Sequence, residues 1–246
     1  MRYLMTFAYD GANFSGYQKQ AKGRTIQDEI EKALKKINNR RVVRIHASGR
    51  TDAKVHAYNQ KAHFDLPKEF EERRLCDALN SLVPEDIYIK EIERVADDFD
   101  ARRHAKAKEY AYKINLGEYN PLERNYVYQY NKNLDLVSIA RALKYLEGKH
   151  DFSSFTPNHE SKEDYVRELK QTNLIRDIHD LDTVTFVFLG TGFLKYMVRI
   201  MVGTLIEIGE NKRKPEDILD IFNAKDRTQA GITAAPEGLY LNDVYY

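Results

Sequence analysis

The chain has 246 residues, of which 42% are apolar and 31% charged, and its formal net charge is +1. This composition is too apolar for general disorder. The net charge is close to zero and does not by itself indicate a nucleic-acid-binding protein, so a site for a polyanion must come from local clusters of basic residues. The single cysteine, Cys76, excludes an internal disulfide and is consistent with a reducing cytoplasm.

The first part of the chain alternates strand and helix patterns. Strands are predicted at residues 4–9, 41–46, 59–66, 87–95 and 108–116. A first helix begins at Thr25, which forms a capping-box pattern with Asp28, and its apolar residues recur at helical spacing as far as Ile37. A second helix is predicted at residues 69–82, before Pro84.

A similar order of elements follows the Asn120-Pro121 break. Helices are predicted at residues 136–146, 193–208 and 215–222, and strands at 166–177, 183–189 and 238–246. The apolar stretch at 193–209 contains Lys195, Arg199 and Glu207, so no membrane span is predicted. We therefore expect two similar α/β subdomains, residues 1–105 and 106–246.

The loop between the second and third strands, ASGRTDAKVHA at residues 47–57, holds polar side chains that no core requires. Asp52 has the chemistry of a nucleophile, a general base or an electrostatic stabiliser, and Arg50 would keep it ionised by lowering its pKa. An aspartate in such a loop also commonly closes a turn, and spacing alone favours that structural role. His56 and His63 lack the spacing of zinc ligands, so no metal site is predicted.

Two basic clusters suggest contact with RNA. Basic side chains bind phosphates and aromatic rings stack on unpaired bases, although charged residues also protect exposed strand edges. The first cluster consists of Arg40, Arg41, Arg44 and Arg50, and the second of Arg102, Arg103, Lys106 and Lys108, followed by Tyr110 and Tyr112.

The segment GRTDAKVHA resembles the GRTDAGVHA signature of the tRNA pseudouridine synthase A family. Five further segments resemble that family in order along nearly the whole chain: YDGANFSGYQKQ, TIQDEIEKAL, DFDARRHAKAKEYAY, and the two carboxy-terminal segments FLKYMVRIMVGTLIEIG and AKDRTQAGITAAPEGLYL. The resemblance implies the pseudouridine synthase fold: two α/β subdomains with mainly antiparallel sheets joined around a basic central cleft.

The resemblance also implies an activity, an RNA partner and a set of site residues. The implied enzyme is cytoplasmic, homodimeric and cofactor-independent, and converts uridine to pseudouridine at positions 38 to 40 in the anticodon stem-loop of tRNA. The family's catalytic residues fall on Asp52, Arg50, Tyr110 and Arg199, with Tyr110 as a base-stacking ring and Arg199 as a partner of Asp52 from the second half of the chain. Substrate contacts are expected from Tyr110, Lys54, Arg102, Arg103 and Lys106.

Lys54 departs from the signature, which has glycine at this position. Either the backbone has a negative φ here and the lysine is merely solvated, which we expect, or its ammonium reaches a phosphate beside the target uridine. Two other functions also stay open: a synthase of the same fold that acts on another RNA, and a non-catalytic RNA-binding protein. A buried carboxylate facing a polyanion favours catalysis over binding alone.

Overall fold

The computed structural model describes residues 1–157, 164–176, 178 and 180–246. Its contacts divide the chain into two compact units: a first unit of Met1–Lys106 with Tyr240–Tyr246, and a second unit of Ala107–Leu239. The division into domains at residues 105 and 106 stays a prediction, because compactness does not test independent folding.

The structure has the mixed helix and strand content that the sequence predicts. The strands described are β1 (Arg2–Tyr9), β2 (Ile45–Ala47), β3 (His56–Asp65), β4 (Ile87–Val95), β5 (Ala107–Asn115), β6 (Tyr128–Gln129), β7 (Gly148–Asp151), β8 (Val166–Arg176), β9 (Thr183–Gly190) and β10 (Leu239–Tyr245). The helices are α1 (Ile26–Ile37), α2 (Glu72–Asn80), α3 (Leu136–Leu146), α4 (Met197–Gly209) and α5 (Asp217–Ala224).

The sheet of the first unit has the strand order β4-β1-β3-β10. β1 pairs antiparallel with both β3 and β4, β2 pairs antiparallel with the far end of β3, and β10 pairs parallel with the start of β3. Alternate residues of β1, beginning with Tyr3 and Met5, are fully buried, as one face of a strand against a core requires. α1 begins after Thr25, whose hydroxyl accepts a hydrogen bond from the Asp28 N–H at 3.4 Å.

The second unit contains the antiparallel order β5-β9-β8-β7, with β6 parallel to β5. α3 packs on α4 and on β8. α4 is the most apolar helix of the set, with Ile200, Met201 and Leu205 fully buried, so it forms the centre of this core. The fold is thus α/β with mostly antiparallel strand pairing in each unit.

Several boundaries differ from the sequence predictions for local reasons. The strand expected at residues 41–46 begins only at Ile45, because Asn39 and Arg40 adopt positive φ and delay the extended chain. The helix expected from residue 193 begins at Met197, because Tyr196 is left-handed with φ 59°. The final residue of the strand expected at 166–177 lies outside the described residues. Across the parts of the chain that are described, no helix is long and apolar enough to cross a membrane.

Candidate active site

Asp52 lies on the short loop between β2 and β3, residues 48–55, which we call the aspartate loop. Asp52 is half-buried, whereas Thr51 before it and Val55 after it are buried. The Val55 N–H donates a hydrogen bond to the Asp52 carbonyl oxygen at 3.3 Å. The carboxylate therefore stands on a tight turn whose two ends are anchored in the core.

A second loop, residues 10–17, supports the aspartate loop through backbone hydrogen bonds. The Tyr17 N–H donates to the Thr51 carbonyl oxygen at 3.1 Å, and the Lys54 N–H donates to the Phe14 carbonyl oxygen at 3.3 Å. The supporting side chains of Phe14 and Tyr17 are both buried. The backbone on both sides of Asp52 is thus fixed by main-chain contacts.

Gly16 is required for this close approach of the two loops. Its φ is +105°, and a Cβ built on it would lie 3.2 Å from the Thr51 carbonyl oxygen and 3.3 Å from the Ala53 nitrogen. Any other residue would combine an unfavourable backbone conformation with pressure on the backbone that flanks Asp52.

The expectation of a negative φ at Lys54 is wrong, since its φ is +65°. The turn that begins at Asp52 and the hydrogen bond to Phe14 together require a left-handed residue here, which the family signature supplies as glycine. The Lys54 side chain is exposed, so its ammonium is accessible to an anion. The left-handed conformation of a residue with a Cβ costs free energy that glycine would avoid.

Arg50 is exposed and its Nη1 donates a hydrogen bond to Gln18 Oε1 at 2.8 Å. The partner is a neutral amide, so this contact pairs the Arg50 guanidinium with no opposite charge. Its effect on the pKa of Asp52 stays a prediction.

The second basic cluster begins on a turn organised by Asp100. Its Oδ1 accepts hydrogen bonds from the backbone N–H groups of Arg102 at 2.8 Å and Arg103 at 2.9 Å. Lys106 follows, and its backbone N–H donates to the Tyr245 carbonyl oxygen at 2.8 Å. All three basic side chains are exposed, which suits contact with a polyanion.

Tyr110 lies in β5 and is only 7% exposed. Its ring meets Phe193 edge to face, with centroids 4.8 Å apart and planes at 72°. Phe193 thereby fixes the orientation of the Tyr110 ring. Stacking on a base would require more of that ring face than is accessible in this structure, so the stacking role stays a prediction.

Arg199 lies in the first turn of α4, where a cation opposes the helix dipole and therefore needs compensating contacts. Its Nε donates to the Ala234 carbonyl oxygen at 2.7 Å, and the Ala234 N–H donates back to the Arg199 carbonyl oxygen at 3.0 Å. Its Cζ lies 5.1 Å from the centroid of the Tyr196 ring, and Lys195 Nζ lies 5.0 Å from the same centroid. Two cationic side chains thus share the Tyr196 ring at the start of α4.

Sequence reasoning overlooked three residues that orient the predicted ones. Gln18 holds Arg50, Phe193 holds Tyr110, and Tyr196 ends the loop before α4 in a left-handed conformation. Phe193 and Tyr196 stand in an apolar run whose pattern predicts a continuous helix. Nothing in that pattern distinguishes them from residues that only pack in the core. Gln18 belongs to a quoted family segment but has no distinguishing chemistry of its own.

Comparison with known proteins identifies the family. The family model described as tRNA pseudouridine synthase matches residues 5–102 and 142–246, which include Asp52, Arg50, Lys54, Arg102 and Arg199, whereas Arg103, Lys106 and Tyr110 lie outside the matched ranges. A tRNA pseudouridine synthase A from Geobacillus sp. (strain WCH70) is 44% identical over 246 residues, which cover 100% of this chain and 98% of that protein. Proteins of the same name from Anoxybacillus flavithermus (strain DSM 21510 / WK1) and Streptococcus pneumoniae (strain P1031) are also 44% identical, with the same coverage. The chain therefore belongs to the tRNA pseudouridine synthase family.

Proposed function

We propose that this chain isomerises uridine to pseudouridine at positions 38 to 40 in the anticodon stem-loop of tRNA, with Asp52 as its catalytic carboxylate. The coarser statement, that it is a tRNA pseudouridine synthase and hence an isomerase, follows from its family. One observation carries the assignment of Asp52: the hydrogen bonds of Thr51 and Lys54 to the loop at residues 10–17 fix the backbone on both sides of it. Catalysis requires such preorganisation, whereas an ordinary turn does not.

The reaction needs a carboxylate near the ribose and no change of redox state. The N1–C1′ bond breaks, the base turns over, C5 bonds to C1′, and the proton on C5 is lost while N1 gains one. Asp52 acts by attacking C1′, by stabilising positive charge there, or by removing the C2′ proton, and all three routes use its ionised form. No group is transferred to or from a co-substrate, so the proposal requires no cofactor.

We assign the remaining site residues by charge and ring chemistry. Arg50, on the same loop, favours the ionised form of Asp52 because a cation stabilises a nearby carboxylate. We assign Arg199 to the site on the strength of the family resemblance alone. Tyr110 supports the target base after it leaves the helical stack, a step that costs a few kcal/mol. Phosphate contacts come from the exposed basic side chains of Lys54, Arg102, Arg103 and Lys106.

The assembly and location are part of the same proposal. We propose a homodimer on the strength of the family resemblance. We propose a cytoplasmic location on the same resemblance and because the single cysteine cannot form an internal disulfide. Light scattering of the purified protein tests the dimer, and a monomeric mass at micromolar concentration would contradict it.

The direct test is position-resolved pseudouridine mapping on tRNA incubated with the purified chain. We expect modification at uridines 38, 39 or 40, and none on a matched transcript that carries cytidine at those positions. The Asp52→Asn variant should bind the same tRNA without modifying it.

The alternatives give different results in the same experiment. A non-catalytic RNA-binding protein would bind both transcripts and modify neither. A synthase of another RNA would leave tRNA unmodified, but mapping of total RNA from cells with and without the gene would reveal its own target. Either outcome would overturn the proposed tRNA positions.

A further inference from the structure

Gln60 is a fully buried amide in β3, at 0% exposure, and two of its four partners, Ser48 and Gly49, lie on the aspartate loop. Its Oε1 accepts from the Ser48 hydroxyl at 2.8 Å and from the Lys61 N–H at 3.1 Å. Its Nε2 donates to the Gly49 carbonyl oxygen at 3.1 Å and to the Tyr9 hydroxyl at 3.5 Å. Both lone pairs of the oxygen and both protons of the nitrogen are therefore used.

The partners also fix which way the amide points. The Gly49 carbonyl can only accept and the Lys61 N–H can only donate, so Nε2 must face Gly49 and Oε1 must face Lys61. A flipped amide would bring two like groups together at each end. Gln60 thus has a single orientation.

The network continues from Gln60 to the residue before Asp52. The Tyr9 hydroxyl lies 2.7 Å from Thr51 Oγ1. Because Gln60 donates to the Tyr9 oxygen, the Tyr9 proton is available for Thr51 Oγ1. Burial raises the pKa of Tyr9 to about 12, with opposing contributions from its hydrogen bonds to Thr51 and Gln60, so this hydroxyl keeps its proton at neutral pH.

The packing of β3 gives no reason for an amide at this position. On the same face of the strand, Ala62 and Phe64 are apolar and fully buried, and the cross-strand partner of Gln60 is the buried Phe7. Removing an amide from water is costly unless every hydrogen bond is replaced, so an apolar residue would fit a purely structural role better. The polar side chain is accounted for by its hydrogen bonds to Ser48 and Gly49 of the aspartate loop and to Tyr9.

We propose that Gln60 is a positioning residue for the reaction. It holds the aspartate loop in place through hydrogen bonds to Ser48 and Gly49 and, through Tyr9, at Thr51. These contacts lie on both sides of Arg50 and end one residue before Asp52. The inference rests on the proposed role of Asp52. A loop that lacks them would adopt the reactive geometry in only part of the bound complexes, which lowers the rate of the bound complex rather than its affinity.

The test compares Gln60→Met, which keeps the length of the side chain and removes its hydrogen bonds, with a matched control in the same unit. The control is Asn80→Leu, because the half-buried Asn80 amide also joins two elements, donating to the Ile89 carbonyl oxygen and accepting from the Ile89 N–H, both at 2.8 Å. For each variant we would measure the melting temperature, the tRNA dissociation constant and the single-turnover rate at saturating tRNA.

Gln60→Met should lower the saturated rate at least about tenfold and leave the dissociation constant within about threefold, because misplacement of a catalytic group affects the bound complex. Asn80→Leu should lower the melting temperature without changing the saturated rate. If Gln60→Met does not fold, Tyr9→Phe removes one link of the same network and should lower the saturated rate about threefold or more.

Some outcomes overturn the inference and others overturn the proposed function. If wild type forms pseudouridine and a folded Gln60→Met variant reacts within twofold of it, Gln60 has no positioning role. The same conclusion follows if Asn80→Leu slows the saturated rate equally, or if Tyr9→Phe is the variant measured and reacts at the wild-type rate. If wild type forms no pseudouridine in tRNA, the proposed function fails and the inference fails with it.

Discussion

Replacing Lys54 with glycine should stabilise the protein, because this lysine has a left-handed backbone with φ +65°. An L-residue in that conformation costs about 1–2 kcal/mol, which glycine avoids. Glycine loses about 0.5–1 kcal/mol through the greater freedom of the unfolded chain. The backbone hydrogen bond from the Lys54 N–H to the Phe14 carbonyl oxygen is retained, so the net gain should be about 0.5–1 kcal/mol.

For a chain of 246 residues, that gain corresponds to a rise of about 1–4 °C in melting temperature. Denaturant titration at constant slope gives the free energy itself. Lys54→Ala is the matched control, because alanine removes the charge but keeps the Cβ and therefore the backbone cost. A second control is Arg40→Gly, since Arg40 is also exposed and has φ 66°.

If Lys54→Gly were no more stable than Lys54→Ala, the left-handed backbone at residue 54 would carry no cost. Lys54→Ala also tests the alternative role of this side chain, because loss of one phosphate contact should flatten the slope of log affinity against log salt by about 0.7. An unchanged slope would leave Lys54 as a solvated side chain that carries a backbone cost without an RNA contact.

Three further predictions concern the core and the second unit. Burial lowers the pKa of His63, so as the pH drops below about 6.5 the unfolded chain binds the proton before the folded protein does, and the free energy of unfolding should fall. In urea titrations, His63→Gln should lose less free energy of unfolding than wild type between about pH 6.5 and 5. Equal losses in the two proteins would contradict this. Gly203→Ala would place a Cβ 1.8 Å from the Ile232 carbonyl oxygen, so it should lower the free energy of unfolding by at least about 1–3 kcal/mol. The control Gly192→Ala, whose Cβ would have its nearest contact at 3.5 Å, should change that free energy by no more than about 0.5 kcal/mol in the same titration. Tyr110→Phe should bind tRNA normally, whereas Tyr110→Ala should lose about 1–3 kcal/mol of binding or transition-state stabilisation. Identical binding and rates for the two variants would exclude ring stacking.

Local patterns were sufficient for much of the fold. The predicted strand at residues 87–95 and the predicted helix at 136–146 coincide with β4 and α3. The hydroxyl of Thr25 caps α1 as the capping pattern indicates. β6 and β7, with two and four residues, are too short to show alternation and depend on pairing with strands elsewhere in the second unit.

The candidate site was predictable only in part. The signature around Asp52 identifies the loop, but the left-handed Lys54 depends on a bond to Phe14, forty residues earlier in the chain. The role of Gln60 depends on the register that brings β3 beside Ser48 and Gly49. Contacts of this kind are tertiary, and neither periodicity nor composition encodes them.

The single-turnover rate of Asp52→Asn on saturating tRNA shows whether Asp52 performs chemistry on the bound uridine. Asparagine keeps the size of the side chain and removes its charge, so folding and the backbone bonds around the loop should be preserved. We expect no detectable pseudouridine, with a tRNA dissociation constant within about tenfold of wild type. A rate within a few-fold of wild type, from a variant with the wild-type melting temperature, would contradict it.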